Sequence, residues 1–129
     1  MKPIESSLWV ERWRPQNFQD IVAPTEIHQY LTEIKSDGDI SNLFFHGPFG
    51  TGKTTTALAI VKELDADYIH LNCSIDTSIN DIRYSVQTFA TSKSLYSDKK
   101  KIVILDEMDR ISAEGQDALK GLIELTSKR

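Results

Sequence analysis

The chain has 129 residues, and 40% of them are apolar, which is ordinary for a globular protein with one hydrophobic core. Its 19 acidic residues outnumber its 15 basic ones, so the net charge of −4 argues against a broad cationic surface for nucleic acid. Cys73 is the single cysteine, which excludes an internal disulfide, and the first residues contain no apolar signal segment. We therefore expect an intracellular protein, and one without a membrane contact because no apolar run approaches the roughly 18 residues of a membrane helix.

Residues 1–24 form the first segment and contain apolar side chains without helical or alternating spacing. This pattern predicts an extended arm that packs onto another part of the protein. The side chains concerned are Trp9, Trp13, Pro15, Phe18, Ile21 and Val22. Trp13 can pack in the core or stack on a base, and the residues alone favour packing.

A helix is predicted next, with Thr25 as its N-terminal cap and its end near Asp37-Gly38. Helical spacing predicts one buried stripe on it, formed by Ile27, Tyr30, Leu31 and Ile34.

The stretch from Gly47 to Thr55 matches the phosphate-loop pattern G-x-x-x-x-G-K-S/T. It follows the apolar run Leu43–Phe45, which predicts a strand, and precedes a helix-forming stretch. In such loops backbone N–H groups surround phosphate oxygens, so the predicted ligand is a nucleoside triphosphate with Mg²⁺, and the resemblance described below implies that it is ATP. The predicted binding residues are Gly47, Pro48, Phe49, Gly50, Thr51, Gly52, Lys53, Thr54 and Thr55. Lys53 would reach the β and γ phosphates, and Thr54 would ligate the Mg²⁺ ion.

Strands and helices alternate through the rest of the chain, which predicts an α/β fold with a parallel sheet covered by helices on both faces. The predicted strands are residues 68–71 and the buried run 102–105, and a polar, basic loop at residues 95–101 precedes the second strand. One helix begins at Ser78 and another at Ser112. Their predicted inward residues are Ile79, Ile82, Val86 and Phe89 in the first helix, and Ala118, Leu119, Leu122 and Ile123 in the second.

Two acidic residues, Asp106 and Glu107, directly follow the predicted buried strand, at the sheet edge where parallel α/β folds place their ligands. We expect Asp106 to ligate Mg²⁺, and Glu107 to orient or deprotonate the water that attacks the γ-phosphate. The alternative is an ordinary acidic loop after a strand. The three histidines, His28, His46 and His70, lack partners at ligand spacing and are interpreted as structural.

Three parts of the sequence resemble a known family: the arm from Leu8 to Pro15, continued to Val22, the phosphate loop, and Gln116-x-Ala118-Leu119. In these parts the chain is similar to clamp-loader ATPase subunits, which are the replication factor C small subunits, the bacterial gamma-type subunit and their phage counterparts. It implies a P-loop AAA+ fold in which residues 1–24 lie over the nucleotide and residues 25–129 form the N-terminal portion of the ATPase domain. Val10, Trp13 and Val22 would then contact the adenine.

The resemblance also implies an ATPase of DNA replication, with other clamp-loader subunits, a sliding clamp and primer-template DNA as partners. Arg83 matches a DNA-contacting helix position in relatives, although an exposed helix arginine explains it equally well. Gln116 matches a residue that couples DNA sensing to the ATP site. Thr77 replaces a common basic residue that restrains the catalytic glutamate.

Family members continue into a sensor strand, an arginine finger, a lid and a collar, so we expect this chain to be part of a longer protein with weak activity on its own. Asp109-Arg110 and the loop from Ser94 to Lys101 resemble phage subunits more closely, which would place the protein in the cytoplasm of a bacterial host. Two other functions stay open at this point: a different AAA+ DNA motor of the branch-migration helicase type, and a non-catalytic nucleotide-binding assembly subunit.

Overall fold

The computed structural model describes residues 13–74, 78–92 and 98–126. The chain divides into two compact units, Met1–Asp65 and Ala66–Arg129. Among the described residues, no helix has the length and apolar character needed to cross a membrane.

Two helices build the first unit, α1 (Thr25–Asp37) and α2 (Lys53–Glu63). Helix α1 ends where predicted, at Gly38, which has a φ of 65°. The predicted cap at Thr25 is wrong, because Pro24 occupies the cap position and Thr25 is the first helical residue. The core of this unit contains Phe18, Ile21, Leu31, Ile34, Ala59, Ile60 and Val61.

The buried stripe of α1 is narrower than predicted. Leu31 and Ile34 are buried, but Ile27 is 43% exposed and Tyr30 is 39% exposed. Helical spacing indicates which side chains share a face, whereas the neighbouring segments decide how much of that face is covered.

The described part of the arm packs through a short 3₁₀ turn, Phe18–Asp20, which contacts α1 and α2. Glu63 of α2 accepts a hydrogen bond from the backbone N–H of Phe18 at 3.2 Å and pairs with Lys35 Nζ at 2.9 Å. The hydrogen bond from Lys35, followed by that from Phe18, lowers the pKa of the Glu63 carboxyl. The expectation that this segment packs onto the protein is confirmed for Phe18 and Ile21. Trp13 is 73% exposed, so its expected packing in the core is wrong.

The strand predicted at Leu43–Phe45 does not form. Residues 41–47 are neither helical nor part of a sheet. Phe44 is 80% exposed and Phe45 is 39% exposed. A strand needs a neighbouring strand to satisfy its backbone N–H and C=O groups. Within the described residues the sheet contains two strands, and neither pairs with this segment.

The second unit contains those strands, β1 (Asp67–Asn72) and β2 (Lys101–Asp106). They pair in parallel, with Asp67 opposite Lys101 and Asn72 opposite Asp106, which confirms the predicted parallel sheet. Helices α3 (Ile79–Thr91) and α4 (Ala113–Thr126) pack against each other. The buried cluster of this unit is Cys73, Ile82, Val86, Leu119 and Leu122. The predicted burial of Ile123 is wrong, because 39% of this residue is exposed.

Lys101 was expected in a solvated loop, but it begins β2 and is half-buried. Its Nζ donates to the carbonyl of Phe89 at 2.6 Å and contacts both the hydroxyl and the carbonyl of Ser92. The same ammonium lies 5.0 Å from the centroid of the Phe89 ring. Since a cation is favourable beside the carbonyls at a helix C-terminus, Lys101 joins the end of α3 to β2.

Candidate functional site

The phosphate loop leads directly into α2, which begins at Lys53. Gly50 and Gly52 have φ angles of 76° and 88°, in the left-handed region. This region costs other L-residues roughly 1–2 kcal/mol each. A Cβ atom added at either position would meet nothing within 4 Å, so these two glycines supply backbone conformation rather than space.

Lys53 folds its ammonium group back over the loop. Its Nζ donates to the carbonyls of Gly47 at 2.8 Å and Pro48 at 2.6 Å, and to Thr51 Oγ1 at 3.3 Å. The Thr51 hydroxyl in turn donates to the carbonyl of Pro48 at 2.8 Å. The side chains of Lys53 and Thr51 therefore hold the loop together by hydrogen bonds. The Lys53 ammonium group also gives the loop a positive charge, which attracts an anion.

The threonines that follow lie in the first turn of α2. Thr54 and Thr55 are half-buried, and Thr56 Oγ1 donates to the carbonyl of Gly52 at 2.7 Å. No side chain caps the N-terminus of α2. Since the first N–H groups of a helix carry partial positive charge, the geometry fits the phosphate group that the sequence predicts. Phe49 is 92% exposed at the tip of the loop, which the motif alone does not indicate.

Asp106 is the last residue of β2, and each of its carboxylate oxygens has a neighbouring donor. Oδ2 lies 3.1 Å from Nε2 of His70 on β1, and Oδ1 accepts from the backbone N–H of Glu107 at 3.0 Å. The side chain of Asp106 is 27% exposed and that of His70 is 33% exposed. The sequence indicates a structural role for His70 and does not indicate this partner. The feature that could have indicated this contact is the parallel pairing of the two strands. It places Asp106 opposite Asn72, which is two residues beyond His70.

Glu107 has an unusual backbone conformation, with φ 56° and ψ 42°. Its side chain is exposed, and its carbonyl accepts from the N–H of Arg110 at 3.1 Å. A non-glycine residue in the left-handed region is uncommon and concentrates at functional sites.

The charge of this acidic pair also acts on Cys73, whose backbone N–H donates to the carbonyl of Asp106 at 2.9 Å. Burial, followed by the charges of Asp106 and Glu107, raises the pKa of the Cys73 thiol. Within the described ranges, no three His, Cys, Asp or Glu side chains form a metal cluster. A divalent ion that depends on one carboxylate and on phosphate oxygens is typical of Mg²⁺ in NTPases.

The residues that the resemblance assigns to adenine, DNA and coupling are exposed wherever the structure describes them. Val10 and Thr77 lie outside the described residues. Val22 is 99% exposed and, like Trp13, is available to contact a ligand. Arg83 is exposed on α3, and Gln116 Nε2 on α4 donates to the carbonyl of Ile111 at 3.2 Å.

A protein-family model described as ATPase family associated with various cellular activities (AAA) matches residues 43–128. The chain belongs to the AAA family. Membership confirms the α/β P-loop fold class predicted from the sequence, and the paired strands and packed helices agree with an incomplete fold of this kind. It also implies nucleotide binding.

Several relatives are replication factor C subunits, which confirms the resemblance seen in the sequence. The chain is 37% identical to "Probable replication factor C subunit 5" of Dictyostelium discoideum over 98% of its length. Over 91% of the length of this chain, the identity to replication factor C small subunit 2 of Pyrobaculum islandicum is 38%. The chain is 39% identical to the replication factor C small subunit of Sulfurisphaera tokodaii over 94% of its length. The chain spans only 38–39% of the length of these relatives.

Proposed function

We propose that this protein is an ATP-hydrolysing subunit of a sliding-clamp loader in DNA replication. The observation that carries the proposal is the similarity to replication factor C subunits along 91–98% of the chain. The phosphate loop supports it, because Gly50 and Gly52 have the left-handed backbone conformation of such a loop and Lys53 brings a positive charge to it.

In the proposed reaction, water attacks the γ-phosphate of ATP and yields ADP and inorganic phosphate. Lys53 exchanges its contacts with the carbonyls of Gly47 and Pro48 for the β and γ phosphates. Thr54 and Asp106 are the residues that would hold the Mg²⁺ ion, and the ion would supply charge neutralisation on the phosphates. Glu107 orients the attacking water and accepts its proton.

The arm supplies the adenine side of the proposed site. Trp13 and Val22 expose apolar surface that a purine would cover, and Val10 is the third contact implied by the resemblance. The remaining loop residues, Gly47 to Thr55, surround the phosphates. Residues 1–24 would therefore act as a nucleotide-binding arm, and residues 25–129 as part of the ATPase domain.

The proposed partners are other clamp-loader subunits, the sliding clamp and primer-template DNA. Arg83 is exposed and would place a point charge on a DNA phosphate, which adds affinity without sequence information. Gln116 would transmit DNA binding to the ATP site. A neighbouring subunit would supply the arginine finger, whose contribution to the rate is typically about 10³–10⁵-fold in NTPases. The isolated chain should hydrolyse ATP slowly, and the phage-like residues favour a bacterial host cytoplasm as its location.

The test is Glu107→Gln in the full-length protein, assembled with its partner subunits. We expect at least about a 100-fold loss of ATPase rate, the usual contribution of a catalytic base. ATP affinity should stay close to that of the unmodified protein, because the phosphate loop is intact. Glu33→Gln, which alters an exposed carboxylate on α1, is the matched control and should retain the full rate. An undiminished rate in Glu107→Gln would favour a non-catalytic assembly subunit.

A further inference from the structure

His70 contacts Asp106 across the two parallel strands. His70 lies opposite Ile104, and Asp106 is two residues further along β2, so the pair is diagonal. Diagonal neighbours of this kind lie within reach of long side chains. The distance of 3.1 Å between Nε2 and Oδ2 is that of a hydrogen bond.

The chemistry of the pair determines which atom donates. An ionised carboxylate only accepts hydrogen bonds, so Nε2 of His70 carries the proton that it donates to Oδ2. The other carboxylate oxygen, Oδ1, accepts from the N–H of Glu107 at 3.0 Å. A donor on each oxygen restricts rotation of the carboxylate about its last bond.

The pair is also accessible from solvent. The side chain of Asp106 is 27% exposed and that of His70 is 33% exposed. The imidazole therefore orients the carboxylate without enclosing it, and the carboxylate stays available to an ion or to the water bound to an ion. Donors that orient a ligating carboxylate typically change metal affinity or activity by roughly 10- to 100-fold when they are removed.

We propose that His70 is a positioning residue, which fixes the Asp106 carboxylate in one orientation for ligation of the divalent cation that accompanies the nucleotide. The inference rests on the proposed function, because it assumes that Asp106 contacts this cation. In this role the N–H group at Nε2 orients the carboxylate, and the charge and bulk of the ring do not matter.

The test measures the affinity of Mn²⁺, used in place of Mg²⁺, for the ADP complex of the full-length protein by electron paramagnetic resonance. His70→Leu removes the donor, and we expect about 10-fold weaker Mn²⁺ binding. His70→Gln places an amide N–H near the position of Nε2 and should restore most of the affinity. His70→Asn places its amide nearer the position of Nδ1, so it should behave like His70→Leu. ADP affinity without metal should be equal in all of these variants.

Tyr68→Leu is the matched control, because Tyr68 is an exposed ring on the same face of β1. It should bind Mn²⁺ as the unmodified protein does. A merely structural role for His70 would lower thermal stability in His70→Leu and His70→Gln alike, without a metal-specific difference between them.

Asp106→Asn separates failure of the inference from failure of the proposed function. If Asp106→Asn weakens Mn²⁺ binding and His70→Leu does not, the positioning role is overturned while the proposed metal ligand stands. If His70→Gln binds Mn²⁺ as weakly as His70→Leu does, the role of the N–H group is likewise overturned. If Asp106→Asn leaves Mn²⁺ binding unchanged, Asp106 is not the metal ligand and both proposals fall.

Discussion

Replacing Glu63 with glutamine tests how the arm is attached to the first unit. Glu63 accepts the N–H of Phe18 at 3.2 Å through one carboxylate oxygen and contacts Lys35 Nζ at 2.9 Å through the other. It therefore joins α2 to both α1 and the arm. Glutamine has the same shape and keeps one accepting oxygen, but it removes the negative charge.

The expected loss of stability follows from these two contacts. A hydrogen bond to a charged group contributes about 1.5–3 kcal/mol, against about 0.5–1.5 kcal/mol for a neutral one, so the Phe18 contact should lose roughly 1 kcal/mol. Lys35 is 60% exposed, and an ion pair with such a partner adds at most about 1 kcal/mol. We expect Glu63→Gln to lower the free energy of unfolding by about 1–2 kcal/mol at neutral pH.

The effect should depend on pH with a defined sign. The pKa of Glu63 is lowered from 4.5 in the folded protein, so its stabilisation is fully present above that value. It is lost as the pH falls through the lower folded pKa. The difference between Glu63→Gln and the unmodified protein should therefore shrink as the solution is acidified below the ordinary pKa.

Urea unfolding followed by circular dichroism, repeated at several pH values from neutral to acidic, measures this difference. Glu33→Gln on α1 is the control, and its stability should stay within about 0.5 kcal/mol of the unmodified protein, as usual for a surface change. A Glu63→Gln defect that persists unchanged in acid, or no defect at neutral pH, would refute the proposed charge contribution.

Three further substitutions test local features of the second unit, each by urea unfolding. Gly121→Ala should stabilise the protein by about 0.5–1 kcal/mol, because alanine favours a helix and its Cβ would meet nothing within 4 Å. Gly115→Ala should destabilise it, because its Cβ would lie 2.4 Å from Cγ2 of Ile111, and overpacking costs about 1–3 kcal/mol, more than the helical gain. Equal effects of the two changes would contradict this packing. Ser78→Ala should cost about 1 kcal/mol, because the Ser78 hydroxyl accepts the N–H of Asp81 at the start of α3; an unchanged midpoint would show that the cap is dispensable.

Features that depend on short stretches of chain were predictable from the sequence. Gly38 ends α1 and Ser78 caps α3 because both effects involve only neighbouring backbone groups. The phosphate loop is equally local, since the left-handed conformations of Gly50 and Gly52 follow from the absence of a Cβ atom. This motif, the arm and Gln116-x-Ala118-Leu119 carried the resemblance in the sequence, and the family match over residues 43–128 confirms the AAA family.

Features that depend on distant neighbours were decided by the tertiary structure. The apolar run Leu43–Phe45 has the composition of a strand, but a strand also needs a pairing partner, and the sheet of the described residues does not include this run. The exposure of Ile27 likewise depends on what covers the helix face. The contact of His70 with Asp106 joins residues 36 positions apart, and it exists because the parallel register brings their side chains to the same end of the sheet. Composition and spacing describe one segment at a time, whereas strand pairing and burial are properties of two segments in contact.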